Sequence, residues 1–393
     1  MNILFITHRK PGIPGKGDQV RAYQQIRSLV NKGHTVHCLY QENEEASWCC
    51  GSSLLNGVND EKYKMNAKNN RLPILRSFLF KGYPLSVSLA SFPILDVLLE
   101  RIVSETQYDV IHVQSKMLHN FQSLNTSGSK VIVDYIDAIS LNLERRYQWS
   151  NNPFEKLIVR GELGRMKRYE LFIKTQSSKA IITSPADKEF LHSRRVKEVD
   201  IVPNYIDLSY FHRNLSENRM KALVFTGTMD YAPNVDAAKR LVKEIYLPLK
   251  AKNPDLECWL VGANPAADIK KLNNIPGVVV TGFVEDIRPW QWKAAVYVCP
   301  LRFGAGQQNK ILEAAGLGCP IVMSTITNSG IGFTHQEEAF VCEHNDEFIK
   351  EIERLLNDHE LAGMVTAKAS DFVSEHFSQK KVGDQLVSAY TAS

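Results

Sequence analysis

Short apolar runs punctuate the whole chain. In the first half they fall at 2–8, 35–41, 109–115, 130–137, 180–184 and 200–204. In the second they fall at 222–228, 257–263, 278–284, 296–300, 320–325 and 339–343. Most are near-continuous rather than alternating, which is the pattern of strands buried on both faces, as in parallel sheets covered by helices. Helical stretches separate the runs. This alternation predicts an α/β architecture of two doubly wound, Rossmann-like domains facing a cleft. The polar, aromatic stretch "PNYIDLSYFHRNLSENRMK" interrupts the pattern. The expected division is a first domain over 1–203, a linker over 204–221 and a second domain over 222–370. A C-terminal helix over 371–393, carrying Phe372, Phe377, Val382 and Leu386, is expected to cross back to the first domain. The polar segment 43–75 supports no assignment.

Length and composition fit this picture. A chain of 393 residues exceeds what one hydrophobic core organises. Its 44% hydrophobic and 23% charged residues are those of an ordinary globular protein. No apolar run reaches the roughly 18 residues of a membrane span. The opening "MNILFITHRKPG" reads as a first strand rather than a signal peptide, so a cytoplasmic location is expected. Of seven cysteines, Cys38, Cys258, Cys299, Cys319 and Cys342 fall in or beside strand runs and are expected as buried free thiols. No Cys/His group has zinc spacing, and no metal site is expected.

Charge is uneven. Residues 1–200 hold 28 Lys and Arg against 20 Asp and Glu, whereas the remainder holds 19 against 23. Solvated helix faces account for this excess, and so would a first domain resting on an anionic surface. The run 85–103 carries Leu85, Leu89, Phe92, Leu95, Val97, Leu98 and Ile102. It reads either as a packed helix pair or as an interfacial helix on the inner face of a membrane. Without a compact basic block or a recognition motif, no nucleic-acid partner is expected.

Candidate chemistry concentrates in 302–322, "RFGAGQQNKILEAAGLGCPIV". A strand leads into glycines and then into a helix. Ligands of open parallel sheets bind beyond the carboxyl ends of strands. A helix start there offers unpaired N–H groups and partial positive charge, which suit phosphate. Gly304 and Gly306 admit a diphosphate to the backbone, and Arg302 and Lys310 can add charge. Glu313 can accept two hydrogen bonds from a ribose diol. Diphosphate and ribose together describe a nucleotide-linked ligand. Asn309 stands where a dinucleotide fingerprint has its third glycine, which disfavours a nicotinamide enzyme. The loop "GIPGKGD" at 12–18 is not a P-loop, yet it follows the first strand and faces the same cleft.

With these residues in view, the chain resembles a GT-B glycosyltransferase of the family-4 retaining type. The likeness is strongest to sugar transferases of bacterial exopolysaccharide clusters. It rests on "THRKPGIPGKGDQVRAY", "GYPLSVSL", "VIHVQS", "VDYIDAIS", "IVPNYID", "FTGTMDYAPNVDAA", "WLVGANP", "VVVTGFVEDIRPW" and "PLRFGAGQQNKILEAAGLGCPIVMS", in that order along most of the chain. The resemblance implies that the second domain binds a nucleotide-diphosphate sugar as co-substrate, with no cofactor or metal. The first domain would bind a glycan or lipid-linked acceptor. The 282–286 loop, with Gly282 and Val284, would meet the base. Glu313 would hold the ribose, and Gly304, Ala305, Gly306, Gln307, Gln308 and Asn309 would face the diphosphate and sugar. Gly227 and Thr228 would line the donor, and Gly15, Gly17 and Arg9 would close over it. Many relatives carry a glutamate eight positions before Glu313, where this chain has Ala305. Many also carry an Arg where it has Thr228, so Arg302 and Lys310 are the expected replacements for that charge.

Transfer then proceeds by stabilising a leaving diphosphate, chiefly electrostatically. Asp137, expected at the end of its strand and pointing at the cleft, is a candidate for contacting acceptor or sugar hydroxyls. His112 is a second candidate, with a structural histidine as its alternative; His8 reads equally as a loop hydrogen-bonder, and Asp134, on the opposite strand face, is expected to be structural. Two rival functions share the fold expectation: a sugar-nucleotide epimerase and a non-catalytic nucleotide-sugar-binding subunit.

Overall fold

The computed structural model describes residues 1–13, 15–41, 47–51, 61–66, 71–92, 94–121, 128–196, 198–214 and 216–391. The chain divides into two compact units, Met1–Asn204 with Lys380–Ser393, and Tyr205–Gln379.

The first unit is built on eight strands: β1 (Asn2–Ile6), β2 (Thr35–Gln41), β3 (Ser47–Gly51), β4 (Glu61–Asn66), β5 (Val110–Gln114), β6 (Lys130–Asp134), β7 (Lys179–Ile182) and β8 (Val199–Ile201). They are ordered β4-β3-β2-β1-β5-β6-β7-β8. Six strands, β2 to β8 through β1, run parallel, and β3 and β4 add an antiparallel edge. That hairpin lies in the polar segment left unassigned above, because an edge strand need not show the apolar run of a central one. The helices are α1 (Gly17–Asn31), α2 (Arg71–Leu79), α3 (Leu85–Ser88), α4 (Ile94–Glu105), α5 (Ile139–Trp149), α6 (Pro153–Gln176) and α7 (Pro185–Ser193). Every residue of β5 is buried, as the continuous run "VIHVQ" requires of a strand covered on both faces. The packed reading of 85–103 holds for α4, whose Leu95, Leu98, Leu99 and Ile102 are core.

The second unit holds β9 (Met220–Thr226), β10 (Glu257–Val261), β11 (Val278–Gly282), β12 (Ala294–Cys299), β13 (Ile321–Ser324) and β14 (Phe340–Cys342). All are parallel, in the order β11-β10-β9-β12-β13-β14. The order reverses between β9 and β12, and such a switch point opens a crevice at the carboxyl ends of the two strands. The helices are α8 (Ala232–Arg240), α9 (Leu247–Lys252), α10 (Ala267–Lys270), α11 (Arg288–Lys293), α12 (Asn309–Gly316), α13 (Thr325–Asn328), α14 (Asn345–Asn357) and α15 (His359–His376). A π-helical segment, Leu241–Tyr246, joins α8 to α9.

Two expected boundaries change. Residues 205–221 are no free linker, since Leu208 and Phe211 pack on the second core. The C-terminal segment is two helices rather than one. Phe372 and Phe377 pack on the second core, and the chain then enters α16 (Gln379–Thr391). Val382, Leu386 and Tyr390 of α16 are buried, and Lys130 Nζ donates to the Tyr390 carbonyl at 3.3 Å within the first unit. Five cysteines, Cys38, Cys258, Cys299, Cys319 and Cys342, are buried free thiols; the side chains of Cys49 and Cys50 lie outside the described residues. No described helix is long and apolar enough to cross a membrane.

Candidate functional site

Beside the switch point of the second sheet, the loops after β9, β10 and β11 are laced together by their backbones. Gly227 N–H donates to Val261 O at 3.0 Å, and Gly262 N–H donates to Gly282 O at 3.2 Å. The approach is so close that a Cβ on Gly262 would lie 1.9 Å from Gly227 O, and both residues have positive φ. Only glycine permits this, so the ends of β9 and β10 are held edge to edge by sequence.

From β9 the chain enters α8, and Asn234 in its first turn is buried. Its amide donates to Thr228 O at 3.0 Å and accepts from Lys310 Nζ at 2.6 Å. Lys310, in the first turn of α12, therefore reaches across the switch point to the other half of the sheet. The Phe225 ring lies 4.7 Å from its ammonium. Burial lowers the Lys310 pKa, against the pull of Cys299 and Glu313. Glu313 stands three positions further on, on the same helix face. Burial pushes its carboxyl up to about 7, with Lys310 opposing. Gln308 caps α12 by position only, placing no side chain on the first-turn N–H groups. Gly304 and Gly306 both take positive φ, and Gln308 Nε2 donates to Ala305 O at 3.3 Å. Gln307 is buried, while Ala305, Gln308 and Asn309 are half-buried. Beyond β11, Val284 packs on the core, Phe283 is 74% exposed, and Asp286 is clamped by Arg288. Thr228 is exposed at the loop surface.

Arg302 is a correction. Its guanidinium faces Glu244 and lies 3.5 Å from Asp236, both on the α8 side. Asn345 bridges Glu244 to Arg240, which in turn donates to Pro300 O at 3.2 Å. Arg302 thus anchors the start of the loop through its carboxylate partners, and its charge is already matched there. Asn234 is the site residue that sequence reasoning passed over. Its only signal was a polar side chain in the first turn of a helix after a strand-end glycine.

The remaining candidates belong to the first unit. His112 is fully buried and is likewise corrected. It stacks on Phe5 at 3.9 Å, shares a hydrogen bond with Tyr390 Oη and has its pKa lowered to about 4 by burial. It is a neutral core histidine linking the sheet to α16. Asp134 is buried in a two-pronged ion pair with Arg21, Nε to Oδ2 at 2.7 Å and Nη2 to Oδ1 at 3.1 Å. Gln25 also donates to it at 3.0 Å. Strand β6 ends at Asp134, so Asp137 lies past a turn rather than on the strand. In that turn Ile136 takes φ 64°, rare for a β-branched residue. Thr183 holds it by donating N–H and Oγ1–H to Ile136 O. Asp137 is half-buried, its carboxyl pushed up to about 7 by burial and by Asp187. Strain maintained in this way is a feature of sites that orient a ligand group. Arg9 pairs with Asp18 at 2.8 Å, beside Gly17 at the start of α1. At Gly15 a Cβ would meet Gly12 O at 2.7 Å, so Gly15 packs closely against Gly12.

Residues 220–358 match the family model described as "Glycosyl transferases group 1". The second unit carries a group 1 glycosyl transferase domain. Solved structures show the GT-B fold for the whole chain. Sucrose-phosphate synthase of Thermosynechococcus elongatus is 16% identical, with 99% of this chain and 98% of that one covered and a TM-score of 0.70. HepE of Anabaena, in complex with UDP-glucose, is 15% identical over all of both chains, with a TM-score of 0.68. TarM of S. aureus is 14% identical at a TM-score of 0.60, and the match spans only 58% of its length. No curated protein matches the chain by sequence. The glycosyl transferase model covers Gly227, Asn234, Gly282, Lys310 and Glu313 together. The first-unit candidates lie outside it.

Proposed function

We propose that the protein is a retaining glycosyltransferase that moves a sugar from a nucleotide-diphosphate sugar to a glycan or lipid-linked acceptor in bacterial surface polysaccharide assembly. One observation carries this reading. At the switch point, Asn234 accepts a hydrogen bond from the ammonium of Lys310, in the first turn of α12, with Glu313 one turn further along the helix. An ammonium and the N-terminus of a helix stabilise the diphosphate as its bond to the anomeric carbon breaks. An ionised Glu313 accepts both hydroxyls of the ribose. Retention then follows from attack on the face the diphosphate leaves, with a phosphate oxygen taking the acceptor's proton, so no protein nucleophile is needed. Asp137 hydrogen-bonds hydroxyls on the acceptor side, and Arg9, Gly15 and Gly17 are the first unit's candidates for contacting the diphosphate. Ala305 stands where many relatives carry a carboxylate, so that contact to the donor sugar is absent or comes from another residue.

HepE bound to UDP-glucose makes UDP-sugars the first donors to try. The test is a thermal-shift screen of UDP, GDP, ADP, CMP and dTDP sugars on wild type and Glu313→Ala. A ligand at 100 times its Kd adds about 2.7 kcal/mol of stability. One nucleotide should shift the wild type and not the variant. Radiolabelled donor then separates the rivals. Transfer only with acceptor present supports the proposal. Product from donor alone would show an epimerase, and binding without turnover a non-catalytic subunit.

A further inference from the structure

Beyond the transfer site, one face of the first unit exposes large apolar side chains that the core does not use. On α2 and just after it, Leu75 is 52% exposed, Leu79 57% and Phe80 83%. Leu85 and Leu89, at the two ends of α3, are about half exposed. In the first two turns of α6, Phe154 is 79% exposed, Leu157 72% and Ile158 68%.

These three elements adjoin. The Leu85 N–H donates to Glu162 Oε2 at 2.8 Å, which seats the start of α3 on α6 one turn past Ile158. The Arg165 guanidinium lies 3.8 Å from the Phe78 ring, which seats α2 beside the next turn. On α6, positions 154, 158, 162 and 165 follow helical spacing, so the exposed residues continue the face that contacts α2 and α3.

Cations are interleaved with this surface: Arg76, Lys81, Lys156 and Arg160. All are surface residues, and none makes an ion pair among the described residues. Two carboxylates on α6 are occupied, and a third carboxylate, Asp96, lines a cleft with Arg76 and Lys81. Glu155 binds Arg146 and Ser150, and Glu162 binds Leu85 N–H and Arg165.

We propose that this α2–α3–α6 face docks on an anionic lipid bilayer, with Phe80, Phe154, Leu157 and Ile158 entering the interface and the four cations on the headgroups. Apolar side chains flanked by Lys and Arg suit such a surface. Protein interfaces, by contrast, deplete Lys at their centres. A second copy fits poorly as the occupant. A twofold contact would press Arg76, Lys81, Lys156 and Arg160 against the same four residues of the other copy.

The experiment is flotation of the full chain with phosphatidylcholine vesicles, with and without phosphatidylglycerol, at low and high salt. The wild type should float with the anionic vesicles at low salt and much less with neutral vesicles or at high salt. Lys156→Ala/Arg160→Ala should weaken partitioning by about fivefold per cation, hence about 25-fold together. Phe154→Ser/Leu157→Ser/Ile158→Ser should abolish flotation while leaving the melting temperature and nucleotide-sugar binding unchanged. Wild type that stays at the bottom overturns the proposal, as does a triple variant that floats normally. Sedimentation without lipid supplies the last arm. A wild-type dimer that the triple variant dissolves would assign the face to a second copy instead. None of these readouts depends on sugar transfer.

Discussion

Glu313 makes the sharpest claim about the site. Its carboxyl is pushed up to about 7 by burial, yet its proposed role requires the ionised form, which can accept both ribose hydroxyls. Donor binding must then supply the cost of deprotonation below pH 7. With a free-state pKa of about 7, the carboxyl is about 90% ionised at pH 8 and about 10% at pH 6. Affinity should fall about tenfold across those two units, equivalent to about 1.4 kcal/mol. The diphosphate of a nucleotide sugar does not titrate in this range, so the protein sets the dependence. Calorimetric titration of the donor at pH 6, 7 and 8, at constant ionic strength, measures it. At pH 7, binding should release about half a proton, seen by repeating the titration in buffers of different ionisation enthalpy. Glu313→Gln should bind more weakly and show no pH dependence. Stability of the free protein should run the opposite way. A carboxyl raised above its unfolded value of 4.5 favours the folded state while protonated, so this contribution is lost as pH rises from about 4.5 through about 7. A wild-type affinity flat from pH 6 to 8, or a Gln variant with the same slope, would refute the assignment of Glu313 to the ribose.

Two further predictions concern the scaffold. Replacing Asp134 with Asn or Arg21 with Met leaves a buried charge unmatched and should cost about 3–5 kcal/mol; for a unit of this size that lowers Tm by about 6–20 °C in a thermal melt. Because Arg21 holds the Asp134 pKa down despite burial, the wild type keeps this stability above the unfolded carboxylate pKa and loses it as pH falls through the folded one. Gly227→Ala would bring a Cβ within 2.7 Å of the Asn234 amide and 3.1 Å of Lys310 Nζ. With φ at 154° the strain should cost about 1–3 kcal/mol in thermal melts. Displacing the ammonium should weaken donor affinity about tenfold or more, since a hydrogen bond to a charged group is worth about 1.5–3 kcal/mol.

How far the sequence reaches differs from element to element. The continuous runs "NILFI", "VIHVQ" and "ECWLV" announce strands buried on both faces, because a strand between two helical layers has no face left for water. Glycines followed by Lys310 and Glu313 at helical spacing announce a helix start with chemistry on one face. Both signals are local, set by backbone sterics and by periodicity, and can be read in a window of a few residues. Partners are not local. Arg302 and Lys310 are equally plausible cations in the sequence, but only the fold decides that Asp236 and Glu244 surround the first while Asn234 aims the second at the switch point. In the sequence His112 reads as lying near a strand end like a catalytic residue, yet it is mid-strand in β5, where Phe5 and a tyrosine 278 positions away enclose it in the core. Asp134 and Asp137, three residues apart, are separated by a turn with positive φ at Ile136, which no propensity would place there. The exposed apolar face of α2, α3 and α6 draws on segments some 70 residues apart, whose exposure depends on what packs against them. Chain composition determined which elements could form. Side-chain electrostatics depend on distance through space, so the tertiary structure alone decided which charges are neutralised and which remain for a ligand.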